Sequence, residues 1–260
     1  MINFKNIIEV CRSRELLKES PDHWMKEGNL FYQQKKFAQA LIAYTKAIEQ
    51  DTDNAQAWNF KGLTLWELKR FEVAVGAYRM AVQRDPTYAM AWINQGNALF
   101  FLDRYWEASN AFKKALEIDP KDADGWNDRG NVLRKISRFE EALQSYEEAI
   151  RLKPDYARVW YNKGLALSQL NRFEEALGAF EEVIRLEPDF SLAWYNKGLV
   201  LSQLNRFEEA LHAFNEAIIL DPDYAPAWSN KGFTLRQLNR FEEALIAYDA
   251  ATKRYRIQTS

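Results

Sequence analysis

Carboxamides recur along this chain in a way that bears on chemistry before any fold is considered. Asn94, Asn162, Asn196 and Asn230 share one register, and Asp128 stands in the same register between the first two. An asparagine side chain carries one acceptor oxygen and two N–H donors. It can pair with both the N–H and the C=O of an extended peptide, whatever that peptide's side chains. Each such bond contributes a net ~0.5–1.5 kcal/mol, so a row of them holds a peptide weakly to moderately. Asparagine is a mediocre helix former, and propensity does not explain its recurrence. The competing explanation is a filler copied by duplication, because residues 157–190 and 191–224 share long identical runs.

The residues that could do covalent chemistry are sparser. His23 and His212 lie far apart, with no Cys or second His at ligand spacing, which argues against a zinc site. The glycines recur singly, so no phosphate-cradling loop is present. The pairs Glu140-Glu141, Glu174-Glu175, Glu208-Glu209 and Glu242-Glu243 could suggest acid–base work. They recur at one point of a repeat, where carboxylates complement a helix N-terminus. No nucleophile, base and orienting group can be nominated. The sequence therefore predicts neither enzyme activity nor a cofactor.

Charge narrows the partners. Lys and Arg number 35 against 37 Asp and Glu, a net charge of -2. That balance gives no reason to expect nucleic acid, whose affinity rests on many contacts to phosphate, nor an anionic membrane surface. Cys11 is the single cysteine, which excludes an intramolecular disulfide framework and fits a reducing compartment. Near the N-terminus Lys5, Asn6 and Glu9 interrupt the apolar residues, so no signal-peptide core exists. No stretch approaches the ~20 apolar residues of a membrane helix. The expected location is cytoplasmic.

What positions the carboxamides is a repeat. Trp24, Trp58, Trp92, Trp126, Trp160, Trp194 and Trp228 stand 34 residues apart. Four residues beyond each comes Gly28, Gly62, Gly96, Gly130, Gly164, Gly198 or Gly232. Twelve further on lies Ala40, Ala74, Ala108, Ala142, Ala176, Ala210 or Ala244, and four beyond that an aromatic, from Tyr44 to Tyr248. Pro86, Pro120, Pro154, Pro188 and Pro222 close the middle units. This pattern resembles the tetratricopeptide repeat over residues 21–258. Departures are few: Val183 stands at the second alanine, and Thr52 and Arg256 replace the closing proline.

The repeats are bounded at 21–54, 55–88, 89–122, 123–156, 157–190, 191–224 and 225–258, each numbered from 1 below. Positions 4, 8 and 11 fall within about 60° on a helical wheel and form one packing stripe. A helical glycine costs about 1 kcal/mol relative to alanine. Its repetition suggests a close helix crossing, which the alanine at position 20 would answer. In the fifth repeat the first helix is expected over 157–170, a break at Asn171-Arg172, and the second helix over 173–186. One repeat cannot bury enough surface alone and must lean on its neighbours. The fold class is all-α, and the resemblance implies a right-handed superhelical solenoid of antiparallel helix pairs.

Residues 1–20 carry an amphipathic pattern outside the repeat register and read as an N-terminal cap, with a docking segment as the alternative. The seventh repeat ends near Lys253, and 259–260 form a tail. Terminal repeats usually need a polar cap, so a possible homo-oligomer through this uncapped repeat is a second reading.

Position 6, which holds the Asn row, lies opposite the packing stripe with positions 2, 5, 9 and 13, on a face with no packing duty. The resemblance implies that this face lines the concave surface and binds a protein or peptide ligand. The row is similar to the asparagine ladder in the tetratricopeptide region of O-linked N-acetylglucosamine transferase. Flanking residues would set specificity: Arg158, Tyr161 and Tyr195 toward the C-terminus, and the apolar Phe60, Met90 and Ile93, with Leu63 and Phe101, toward the N-terminus. The pattern with which related domains clamp the acidic tails of heat-shock chaperones is incomplete. Met25 stands where its first lysine belongs, and Asp128 interrupts the second frame. The leading expectation is an adaptor; the alternatives are a self-assembling module or a regulatory part of a larger enzyme. A pentatricopeptide RNA binder is disfavoured by the Trp–Gly pattern and the lack of basic excess.

Overall fold

The computed structural model describes residues 20–258, with side chains through Tyr255. The cap expected over 1–20 lies almost wholly outside the described residues, and so does the 259–260 tail. Among the described residues there are fourteen helices and no strand. They divide into two compact units, one ending at Pro120 and the other beginning at Lys121.

The first unit holds α1 (Pro21–Gln33), α2 (Phe37–Gln50), α3 (Ala55–Glu67), α4 (Phe71–Arg84), α5 (Ala89–Phe101) and α6 (Tyr105–Ile118). The second holds α7 (Ala123–Lys135), α8 (Phe139–Leu152), α9 (Ala157–Gln169), α10 (Phe173–Leu186), α11 (Ser191–Gln203), α12 (Phe207–Leu220), α13 (Ala225–Gln237) and α14 (Phe241–Gln258). Within each unit every helix packs on the next in sequence.

The turn inside each pair has one construction. In the fifth repeat Asn171 takes a left-handed conformation, φ 57°. The Arg172 N–H then bonds the Leu167 carbonyl at 3.0 Å and the Asn171 N–H bonds the Ser168 carbonyl at 3.1 Å. These two bonds close the helix end in a Schellman arrangement. Asparagine tolerates the left-handed region better than most residues, which suits it to 171, 205 and 239. Lys35 and Lys69 adopt the same conformation without that advantage.

The second helices α6, α8, α10, α12 and α14 begin on an ion pair. Arg172 reaches Glu175 through two bonds of 2.7 and 2.6 Å, and Arg104–Glu107, Arg206–Glu209 and Arg240–Glu243 repeat the pairing. The second glutamate of each pair is thus held by the arginine before the helix, below the usual carboxylate range at Glu175, Glu209 and Glu243.

The core differs from the expectation at two positions. The atoms nearest the glycines belong to the position-24 aromatic, not to the position-20 alanine. A Cβ added to Gly164 would stand 2.8 Å from Phe180 Cε1, and one on Gly130 would run into Tyr146 Cε1. The tryptophans are only half buried. Their indole N–H groups bond back to the preceding connection: Trp92 to the Pro86 carbonyl at 3.0 Å, Trp160 to Pro154 at 2.9 Å, Trp194 to Pro188 at 3.0 Å and Trp228 to Pro222 at 2.9 Å. Trp58 does the same with Thr52, also at 3.0 Å. Lys163, Lys197 and Lys231 lie over the rings at 5.2–5.6 Å.

The last helix runs longer than expected, to Gln258 rather than about Lys253. Where the middle repeats place a helix-stopping proline, this one has Arg256. Arg254 donates to the Pro222 carbonyl and lies 4.6 Å above Trp228.

Candidate peptide-binding face

The asparagines do have a packing role, which corrects the sequence-based expectation. Each Nδ2 donates to the position-5 side chain of the repeat before it. In the second unit Asn162 bonds Asn127 Oδ1 at 3.0 Å, Asn196 bonds the Tyr161 hydroxyl at 3.1 Å, and Asn230 bonds the Tyr195 hydroxyl at 3.1 Å. Asn196 donates as well to the Leu192 carbonyl at 2.7 Å, and Asn230 to the Pro226 carbonyl at 2.9 Å. A carbonyl can only accept, so these contacts fix which amide atom is nitrogen. An amide has two donors. At Asn196 and Asn230 both are spent within the chain, and what remains to offer a ligand is the oxygen.

Burial follows the bonding. Asn162 is 8% exposed and Asn127 4% exposed. Asn196 and Asn230 are half buried. Tyr161 and Tyr195 are also half buried, and burial raises both phenols, Tyr195 to about 12. They therefore serve as neutral hydroxyls that accept from asparagine. Arg158 is exposed.

Asp128 departs from the row. It accepts from Asn127 Nδ2 at 3.2 Å. Burial pushes its carboxyl up to about 6; the bond from Asn127 opposes that, Asp124 and Asp122 add to it, and Arg158 opposes it.

In the first unit Asn94 donates to Asn59 Oδ1 at 2.9 Å, and Asn59 donates to the Tyr88 hydroxyl at 3.2 Å. Phe60 is half buried, stacked on Tyr44 at 5.6 Å. Ile93 is half buried, while Met90 and Phe101 are exposed. Phe101 packs at 4.4 Å on Phe71 and 5.1 Å on Trp66.

Sequence reasoning missed Asn59 and Asn127, the buried acceptors. The signal was present: 59 and 94, 127 and 162, 161 and 196, 195 and 230 are each separated by one repeat plus one residue. Each such pair couples a donor to an acceptor.

Among the described residues no group of three or more His, Cys, Asp or Glu could hold a metal ion, and no helix is long and apolar enough to cross a membrane. Paired helices, each packed on the next within its unit, with an amide on the first helix at Asn94, Asn162, Asn196 and Asn230 that bonds the repeat before it, define a helical repeat protein. The chain belongs to the tetratricopeptide repeat family. One tetratricopeptide repeat profile matches residues 25–89, 161–225 and 198–256. Others match 89–122 and 111–144, and a TPR repeat profile matches 130–171.

No curated protein matches the chain. Among solved structures it is similar to YrrB, a TPR protein with an unusual peptide-binding site, at 29% identity and a TM-score of 0.65, covering 71% of this chain and 95% of that one. MamA from Desulfovibrio magneticus RS-1 shares the fold at 21% identity and a TM-score of 0.64, covering 66% and 97%. PilF of Pseudomonas aeruginosa shares it at 23% and 0.64, covering 77% and 91%. Proteins of this family are typically interaction modules.

Proposed function

We propose that this chain is a protein–protein interaction scaffold that binds an extended peptide, or a partner's extended segment, along the first helices of its repeats. In the second unit the site comprises Asp128, Arg158, Tyr161, Asn162, Tyr195, Asn196 and Asn230. In the first unit Phe60, Met90, Ile93 and Asn94 make an apolar counterpart. The observation that carries the reading is the fixed amide row of α11 and α13. Tyrosine hydroxyls and backbone carbonyls lock Asn196 and Asn230, so their oxygens are held in place before a ligand arrives. Preorganised groups lose less freedom on binding. The likeness to YrrB, with its peptide-binding site, supports the same class of ligand.

A phage-displayed random peptide library, selected on the whole chain, supplies ligands to test this. Selected peptides are expected to shift the side-chain amide resonances of Asn196 and Asn230, and Arg158→Glu is expected to change their affinity. Peptides that bind with those resonances unmoved, and that tolerate Arg158→Glu and Met90→Glu together, would overturn the assignment.

A second reading has one observation in its favour. Leu245 on α14 is 71% exposed, whereas its equivalents Leu177 and Leu211 are 7% and 8% exposed beneath the repeat that follows them. Phe241 beside it is 59% exposed. A second copy covering this surface would make the protein self-associate. Sedimentation over a concentration series decides it: Leu245→Glu with Phe241→Glu is expected to abolish any dimer, and a wild-type chain that stays monomeric at tens of micromolar removes the idea.

A further inference from the structure

Between α9 and α11 lies an open cavity of about 390 Å³ that includes Asn196. Its apolar lining comes from Leu165, Phe173, Leu199 and Val200, and its polar lining from Ser168, Gln169, Asn171, Asn196 and Gln203. No lining residue carries a formal charge. That volume sits at the small end of the ~300–1,000 Å³ of small-molecule sites. It has room for one large side chain.

The hydrogen-bonding character of this lining is fixed at two points. Asn196 has committed both amide hydrogens, to the Tyr161 hydroxyl and the Leu192 carbonyl. Ser168 has committed its single hydroxyl hydrogen to the Gly164 carbonyl at 2.8 Å. Both side chains can still accept, and neither can donate without breaking a bond inside the protein. Gln169 and Gln203 can turn either end of their amides inward. At the two fixed acceptors, Asn196 and Ser168, the guest that matches is therefore apolar in body, uncharged, and a hydrogen-bond donor. A carboxylate or phosphate would meet two acceptor oxygens. An ammonium or guanidinium would lose its hydration with no carboxylate to offset it. A phenol can donate its O–H to one of these acceptors, but its oxygen then brings lone pairs beside the other.

We propose that this cavity binds the indole of a tryptophan in the extended ligand, with the indole N–H donating to Asn196 Oδ1 or Ser168 Oγ. Indole is the uncharged side-chain group that donates and does not accept, and its large apolar body suits a lining of leucine, valine and phenylalanine. The inference rests on the peptide-binding reading above and assigns one residue type to one pocket of that face.

N-Acetyltryptophanamide, titrated into the isotope-labelled whole chain and followed by NMR, tests it. Saturable shifts are expected at Ser168, Gln169, Asn196 and Gln203. N-Acetyl-1-methyltryptophanamide, which lacks the N–H, is expected to bind at least ~5-fold more weakly, the loss of one net hydrogen bond. N-Acetylphenylalaninamide is expected to bind more weakly still. Ser168→Ala, which leaves the bond between Asn196 and Tyr161 intact, and Asn196→Leu should each narrow the gap between the two indole probes. Equal binding of the methylated probe, shifts confined to other surfaces, or no saturable shift would each overturn the proposal. If library-selected peptides shift the asparagine row while N-acetyltryptophanamide leaves the cavity unmoved, this inference fails and the peptide-binding reading stands. If neither probe touches the face, both fail.

Discussion

Asn196 donates to the hydroxyl of Tyr161, one repeat earlier, at 3.1 Å, and the same nitrogen donates to the Leu192 carbonyl one turn back at 2.7 Å. The residue with most to offer a ligand is thus also a strut between repeats. Binding and stability share a side chain here, and mutagenesis must separate them.

Asn196→Ala is expected to lower stability by about 1 kcal/mol, the net worth of a typical buried hydrogen bond. Tyr161→Phe removes the other partner of the same bond. The double variant should therefore be less destabilised than the sum of the two singles, with a coupling of ~0.5–1 kcal/mol. Urea titrations of the four proteins measure it. Strict additivity would mean the bond contributes nothing in solution.

Asn162→Ala should cost more, roughly 1–3 kcal/mol, because it strands the acceptor of Asn127, which is almost fully buried. Thermal melts of Asn162→Ala and Asn196→Ala side by side give the comparison.

Two glycines make a matched pair. At Gly164 a new Cβ would meet Phe180 at 2.8 Å, while at Gly178 it would meet nothing within 4 Å. Gly178→Ala is expected to stabilise by up to ~1 kcal/mol through helix propensity. Gly164→Ala gains the same propensity but overpacks an unyielding ring, and a net loss of ~1–2 kcal/mol is expected. Denaturant midpoints of the two variants should move in opposite directions.

Asp128 supplies a pH dependence whose sign is opposite to that of a salt-bridged carboxylate. Its folded value of about 6 lies above the ordinary value of 3.8. Between those two pH values the folded state holds the proton more tightly than the unfolded state. Stability from this group is complete below about pH 4 and declines as pH rises to about 6. Asp128→Asn removes that decline, so it should raise the melting temperature at pH 7.5 and change it little at pH 4. The gain is at most ~3 kcal/mol, at ~1.4 kcal/mol per pH unit. An equal effect at both pH values would show that the carboxyl titrates normally.

Equivalent leucines report which repeat faces are covered. Leu177→Ala should cost ~2–5 kcal/mol, as core truncations do. Leu245→Ala, at the same place in an exposed repeat face, should cost under ~1 kcal/mol in a monomer. A large loss at Leu245 that grows with protein concentration would point to a covering partner copy.

How much of this was legible in the sequence depends on what a period can encode. Helix positions were legible almost to the residue: 157–170 was expected and α9 runs Ala157–Gln169, while α10 ends at the expected Leu186. Apolar spacing, turn residues and proline act locally, so pattern suffices. The partner of Gly164 was misjudged because alanine at position 20 and the aromatic at position 24 lie on one stripe. Which of them reaches the glycine is a matter of side-chain length and rotamer. The asparagines were misjudged for a related reason. A helical wheel shows which residues share a face of their own helix, and says nothing about a tyrosine reaching across from the repeat before. For the same reason the committed donors of Asn196 and Ser168 could not be read from residue types.

The indole bonds to the preceding connections have a practical consequence. Trp58, Trp92, Trp160, Trp194 and Trp228 each tie a repeat to the loop before it through a single exchangeable hydrogen. Those five side-chain hydrogens are built-in reporters, 34 residues apart except for one gap of 68 between Trp92 and Trp160. Deuterium uptake at each would show whether the array frays from a terminus, opens in the middle, or lets go all at once, without adding any label.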